Sequence, residues 1–172
     1  MDYAEKLAEE KELLTNKWIQ SAMSVYPAES LTVLNRNKDP FANPMPHLIS
    51  KAVTDLFEEF LKGIDEKTIE PILDRIVRLK AVQALPPSRA LGFILELKDI
   101  LADFFKADRS NQACLEFLIK SGKDIDRIAS VAFDIYVSCR ESLFEIKTNE
   151  IRNQTHMLIR RVSEMDKQNE AR

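Results

Sequence analysis

Residues 124–168 read DIDRIASVAFDIYVSCRESLFEIKTNEIRNQTHMLIRRVSEMDKQ, some 45 positions without one glycine or proline. Its apolar residues recur at helical steps, and nothing in it breaks a helix. At 1.5 Å per residue such a helix spans about 67 Å, whereas a compact domain of this chain length is only about 30–35 Å across. The stretch therefore predicts a long helix that leaves the domain body or pairs with another copy. Ile125, Ile128, Ala132, Ile135 and Cys139 form a seam suited to a bundle. Farther on, Ile151, Thr155, Leu158, Val162 and Met165 recur at steps of four and three, a coiled-coil-like seam with charges on the other sides.

The rest of the chain agrees with a helical reading. Of 172 residues only three are glycine, where average usage of about 7% would give about twelve. Sheet-rich folds need more glycine than that in their turns and bulges. All seven prolines lie between Pro27 and Pro87. A first helix is expected over Asp2–Val25, with Leu7, Leu14, Trp18, Ala22 and Val25 on one face. Tyr26-Pro27 ends it, because a residue before proline is pushed out of the helical region. A loop follows from Pro27 to Pro46, partly helical around Leu31–Leu34 or functional. Asn43 is placed to cap the second helix with Pro44 at its first position, and Gly63 stops it.

The third helix is expected over Asp65–Ala84, ending at the Pro86-Pro87 corner, where Ser88 is placed to cap a fourth helix running to about Asp108. That helix is apolar nearly all round, so it belongs in the middle of a bundle, and Gly92 within it would allow close packing. A fifth helix over Asn111–Lys120 is expected to stop at Gly122. The architecture expected is all-α: a five- to six-helix bundle over residues 1–145, and a C-terminal helical extension, the coiled-coil-like stalk, over 146–172.

Composition also narrows function. A net charge of −3 with a pI near 5.5 gives no clustered basic surface for nucleic acid. No apolar run approaches a membrane span, so no membrane insertion is expected. The charged N-terminus lacks the apolar core of a signal peptide. Cys114 and Cys139 read as buried structural thiols in a reducing, cytoplasmic setting.

The two histidines, His47 and His156, have no glutamate three residues before them, so the di-iron bundle pattern is missing. No phosphate loop, Cys/His metal spacing or nucleophile elbow occurs. No catalytic residue, metal or cofactor is expected, and the protein is read as no enzyme.

Three features remain as candidate sites. Phe41 and Asn43 place an aromatic anchor before a helix cap, which is either a hydrophobic staple or part of a pocket. Gln83, on the stripe of Ile72, Ile76 and Leu79, turns an amide inward beside the Pro-Pro corner. It either satisfies the helix end or, with Ser88, meets a ligand. Tyr136 and Arg140 lie in a polar cluster with Asp134, Cys139 and Glu141, where the long helix would leave the body, which is either surface ion pairing or part of a site. These six residues form the candidate ligand set, while Ile151, Leu158, Val162 and Met165 form the candidate partner-binding set.

The same residues carry a resemblance. Trp18, Tyr26-Pro27, Phe41-Ala42-Asn43-Pro44, Ile76-Val77-Arg78-Leu79-Lys80-Ala81-Val82-Gln83, Pro87-Ser88-Arg89-Ala90-Leu91-Gly92-Phe93, Leu97-Lys98, Ala132-Phe133-Asp134-Ile135-Tyr136 and Cys139-Arg140-Glu141 fall in order over roughly residues 10–145. Together they resemble the RsbRD N-terminal domain family. Lys80 and Arg89 stand where that pattern leads one to expect Arg and Gln.

The resemblance implies a sensory or input module of bacterial signalling proteins, similar in role to the input domains of stressosome co-antagonists. In those proteins a C-terminal STAS domain carries the phosphorylated residues; the family also precedes histidine kinase modules. A chain ending at Arg172 leaves no room for either, so it is expected to be a free-standing input domain or a piece of a longer protein, and phosphorylation is carried over to no residue here. The function expected is a non-enzymatic signal-transduction module that relays through its long helix to a protein partner or to itself as a homodimer. The alternative is a small-molecule-binding helical domain with its pocket at the Phe41–Pro44 loop and the Pro86-Pro87 corner.

Overall fold

A computed structural model describes residues 3–26 and 44–170, with side chains to 165. Among the described residues there are six α-helices, one 3-10 turn and no strand. They are α1 (Tyr3–Glu9), α2 (Lys11–Met23), α3 (Pro44–Lys62), α4 (Glu66–Val82), α5 (Pro87–Phe104) and α6 (Gln112–Glu170), with the 3-10 turn at Lys106–Asp108 before α6. The chain divides into two compact units, Met1–Tyr136 and Val137–Arg172.

In the first unit, α2 packs on α3 and α5, and α4 packs on the same two helices, so the four close into a ring. Trp18 of α2 is fully buried at its centre. The indole lies 6.1 Å from the Phe57 ring of α3 and 6.2 Å from the Phe93 ring of α5, and its Nε1 donates to the Phe93 carbonyl at 2.7 Å. A large apolar ring with its one polar atom satisfied is the arrangement buried tryptophans need.

A second aromatic cluster joins Tyr3 of α1, Phe105 and Phe117 of α6, with ring centroids 5.4–5.9 Å apart. Ion pairs fasten the elements at the surface: Lys6–Asp108, Lys11–Glu58, Lys98–Asp126 and Arg127–Glu66. Burial of Cys114, Ser121, Ile125, Ile128, Ala132 and Tyr136 marks the α6 face that belongs to this unit.

Several local expectations hold. Pro44 opens α3, and Gly63 follows its end at φ 103°, a conformation open to glycine without Cβ strain. Asp65 caps α4, accepting from the Lys67 amide at 3.4 Å and from the Thr68 hydroxyl at 3.1 Å.

Others are corrected. The first helix is two, divided by a turn at Glu10. Ser88 caps nothing: Pro86 holds the cap position, Pro87 is the first helical residue, and Ser88 is an exposed residue one step inside. Helix α5 is not buried all round, since Leu95 is 47% exposed. Gly92 admits no close neighbour, because nothing lies within 4 Å of where its Cβ would be.

Gly122 does not stop a helix either; α6 runs straight through it. One interior glycine costs about 1 kcal/mol relative to alanine, less than the buried residues on either side return. Of the loop expected over Pro27–Pro46, residues 27–43, including Phe41 and Asn43, lie outside the described residues, and residues 44–46 are already the first turn of α3.

Two substitutions test this backbone reading. Ala84, just past α4, has φ 56°, which in an L-residue crowds Cβ against the backbone. Ala84→Gly should raise unfolding free energy by about 0.5–1 kcal/mol. Gly122→Ala, with open space at the new methyl, should do the same by a similar amount. Denaturant titration checks both; a loss of stability in either contradicts the assigned conformation.

Candidate functional site

The unusual chemistry of the first unit gathers where α2 and α4 end. Residues Ile69, Leu73, Ile76, Val77, Lys80 and Ala81 form the buried face of α4. The line 69, 73, 76, 80 follows steps of four, three and four, so it stays on one side of a helix. Its last member is a lysine only 1% exposed.

The Lys80 Nζ donates to the Ala22 carbonyl at 2.9 Å. That carbonyl is one of the last four of α2, which have no partner within their own helix. Its neighbours are served locally: Ser24 bonds the Ser21 carbonyl, and the Tyr26 amide bonds that of Met23. Lys80 thus completes the end of α2 from a different helix, with its positive charge at the negative end of the α2 dipole.

Two rings face the same ammonium, Phe93 at 4.9 Å and Tyr26 at 5.6 Å to the centroid. Ring faces attract cations but do not replace water. Burial therefore pushes the Lys80 pKa down to about 8, against the opposing pull of the Glu96 carboxylate. Glu96 itself accepts a hydrogen bond from the Ser21 hydroxyl.

Gln83 lies on the rim of this cluster. It is exposed rather than turned inward, because the buried face runs through 69, 73, 76 and 80 and not through 72, 76, 79 and 83. As the residue closing α4, its Oε1 accepts from the Tyr26 hydroxyl at 2.9 Å, and its amide nitrogen lies 3.3 Å from the Met45 sulfur. Both contacts are to side chains, Tyr26 and Met45, and neither is to a backbone group at the helix end.

Tyr136 is buried, and its hydroxyl donates to the Leu85 carbonyl at the turn between α4 and α5. Ser88 is exposed, and Arg140 is an exposed residue of the second unit. Ile151, Leu158, Val162 and Met165 are all exposed on α6.

The cluster can bind charge and fasten helix ends. Among the described residues no group of three or more His, Cys, Asp or Glu side chains could hold a metal ion. Burial raises the pKa of the Cys114 thiol, with Asp108 adding to the effect, which disfavours the reactive thiolate. No helix of the described residues is long and apolar enough to cross a membrane.

The lowered Lys80 pKa makes a signed prediction. Between about pH 8 and the ordinary value of 10.5, the unfolded chain holds a proton that the folded chain has released. Stability from this group therefore rises with pH across that window, by an amount on the order of 3 kcal/mol. Lys80→Met removes the titration. Urea unfolding at pH 7, 8, 9 and 10 should show wild type gaining on Lys80→Met through the window. Parallel profiles would contradict the buried-ammonium geometry.

A 120-residue alignment, covering 60% of this chain and 76% of the relative, is 28% identical to an uncharacterized protein of Archaeoglobus fulgidus. No solved structure matches significantly. The domain described as "RsbT co-antagonist protein rsbRD N-terminal domain" matches residues 12–163. That match spans α2 through most of α6, and the chain belongs to this family of regulatory signalling domains.

Proposed function

We propose that this chain is a non-enzymatic input and protein-interaction module that relays its signal along α6, and that residues 144–165 do so by pairing with a second copy. The observation carrying the reading is a line of apolar side chains in water. Phe144, Ile151, Leu158 and Met165 are 61–71% exposed and spaced by sevens; Val162 is 57% exposed. Thr148, Thr155 and Val162 form the alternate line, also spaced by sevens.

Together they make three heptads, with Thr148, Thr155 and Val162 at a and Phe144, Ile151, Leu158 and Met165 at d, the positions that form a coiled-coil seam. Thr155 and Thr148 make the seam weaker than an all-aliphatic one, which suits a reversible contact. A contiguous exposed apolar stripe is an interaction surface in a protein that otherwise covers its core well.

The relay follows from the same helix. Its hydrogen-bond ladder is unbroken from Gln112 to Glu170, so a shift or rotation of the part carrying Ile125, Ile128 and Ala132 biases which arrangement the seam adopts. The signal passes to a protein partner of the pathway, in the cytoplasm. The free, buried Cys114 and Cys139 accord with a reducing compartment.

Light scattering on the purified chain tests the pairing. Wild type should run at twice the 19.8 kDa chain mass, and Leu158→Glu or Val162→Glu should bring it to the single-chain value. A wild-type monomer at about 100 µM, far above the Kd of about 1 µM expected of a functional seam, would contradict the proposal. So would a dimer indifferent to both substitutions.

A further inference from the structure

The first unit also contains a cleft of about 440 Å³ that the Lys80 cluster does not use. Its walls come from α1, from the end of α3 with the turn after it, and from α6. The volume lies within the range of small-molecule sites, roughly 300–1,000 Å³.

The floor is apolar: Leu7 and Phe60, with Phe117 held against the Tyr3 and Phe105 rings. Gly63 borders the opening, and nothing lies within 4 Å of where its Cβ would stand.

The α6 wall is one helix face, formed by Phe117, Lys120, Ser121 and Asp124 at steps of three, one and three. Ser121 is only 5% exposed. Among the described residues its hydroxyl makes no hydrogen bond, yet its oxygen is not sealed away as that of Thr15 is. It is an unmatched polar atom reached from the cleft. Beside it, Lys120 and Asp124 lie one turn apart without forming an ion pair with each other or with other described residues. The other cation of the rim, Lys62, is held by Glu59 at 2.7 Å.

A cation, an anion and a hydroxyl above an apolar floor match a ligand with a zwitterionic head and an apolar body. We propose that this cleft binds an apolar α-amino acid. The ligand carboxylate meets the Lys120 ammonium and the Ser121 hydroxyl, its ammonium meets the Asp124 carboxylate, and its side chain covers Leu7, Phe60 and Phe117. Such a ligand bridges α1, the end of α3 and α6. As the input to the module it rests on the signalling function proposed above; as a binding site it stands by itself.

Thermal melting and calorimetry of the full chain test it, with L-phenylalanine as probe beside 3-phenylpropionate, which lacks the ammonium, and phenethylamine, which lacks the carboxylate. A ligand that binds the folded state raises its melting temperature by mass action. L-phenylalanine at about 10 mM, well above a Kd of about 1 mM, should raise it.

Each analogue should bind about tenfold more weakly or worse, since each leaves one charged group of the site unmatched. Lys120→Ala and Asp124→Ala should each weaken binding about tenfold without lowering the unliganded melting temperature, and Ser121→Ala should weaken it less. No shift with L-phenylalanine, equal binding of either analogue, or indifference to both charge substitutions would overturn the site. Leu158→Glu should bind L-phenylalanine as wild type does, so loss of dimerisation and loss of binding are separate failures.

Discussion

From Gln112 to Glu170 the backbone of α6 is one hydrogen-bonded ladder, and the proposed relay depends on that constraint. No proline interrupts it, and its one glycine, Gly122, is absorbed at a cost of about 1 kcal/mol. The first part of the ladder buries Cys114, Ser121, Ile125, Ile128, Ala132 and Tyr136 in the bundle unit. The later part presents Phe144, Ile151, Leu158 and Met165 to water. An α-helix resists local untwisting because each residue shares its hydrogen bonds with neighbours four away. Continuity of this kind is what a relay requires.

The bundle unit combines close packing with one charged group in its interior. Trp18 fills the centre of the four-helix ring, and Lys80 reaches past Phe93 to complete the end of α2. An apolar residue at position 80 would pack as well but would leave the Ala22 carbonyl without a partner, a loss of about 1–3 kcal/mol. Lysine supplies the donor at the cost of a depressed pKa. Arginine there would supply more donors and would not titrate. Lysine makes this capping contact with a more readily neutralised group.

Where the sequence was legible, single residues with strong backbone preferences made it so. Pro44 opened a helix, Gly63 closed one, and the absence of glycine and proline over residues 124–168 announced α6. Composition alone ruled out a sheet fold. The misread positions have physical causes. Glycine is a common helix stop, but at Gly122 burial on both sides outweighs its weak propensity and the helix continues.

Lys80 was missed because lysine is ordinarily a surface residue; its long aliphatic stem lets it occupy a core position while its ammonium seeks a carbonyl. That error displaced the buried face of α4 by one line and turned Gln83 inward when it belongs on the rim. The exposure of Ile151, Leu158, Val162 and Met165 follows from their spacing among charged residues, and Phe144, 71% exposed, lies seven residues before Ile151 on the same line. The Ser121 cleft left no trace in the sequence, since its walls come from three separated segments.

A helix whose residues 149–165 are all exposed gains no packing along that stretch, and packing is the main source of helical stability in proteins. Pairing of the seam would change that. Amide hydrogen exchange across residues 144–165, followed as a function of protein concentration, is therefore the most direct test of the relay. Slow exchange that strengthens as concentration rises, and weakens on dilution, is the result expected of a paired helix. Rapid exchange at every concentration, with the Ile125–Tyr136 segment protected throughout, would contradict it.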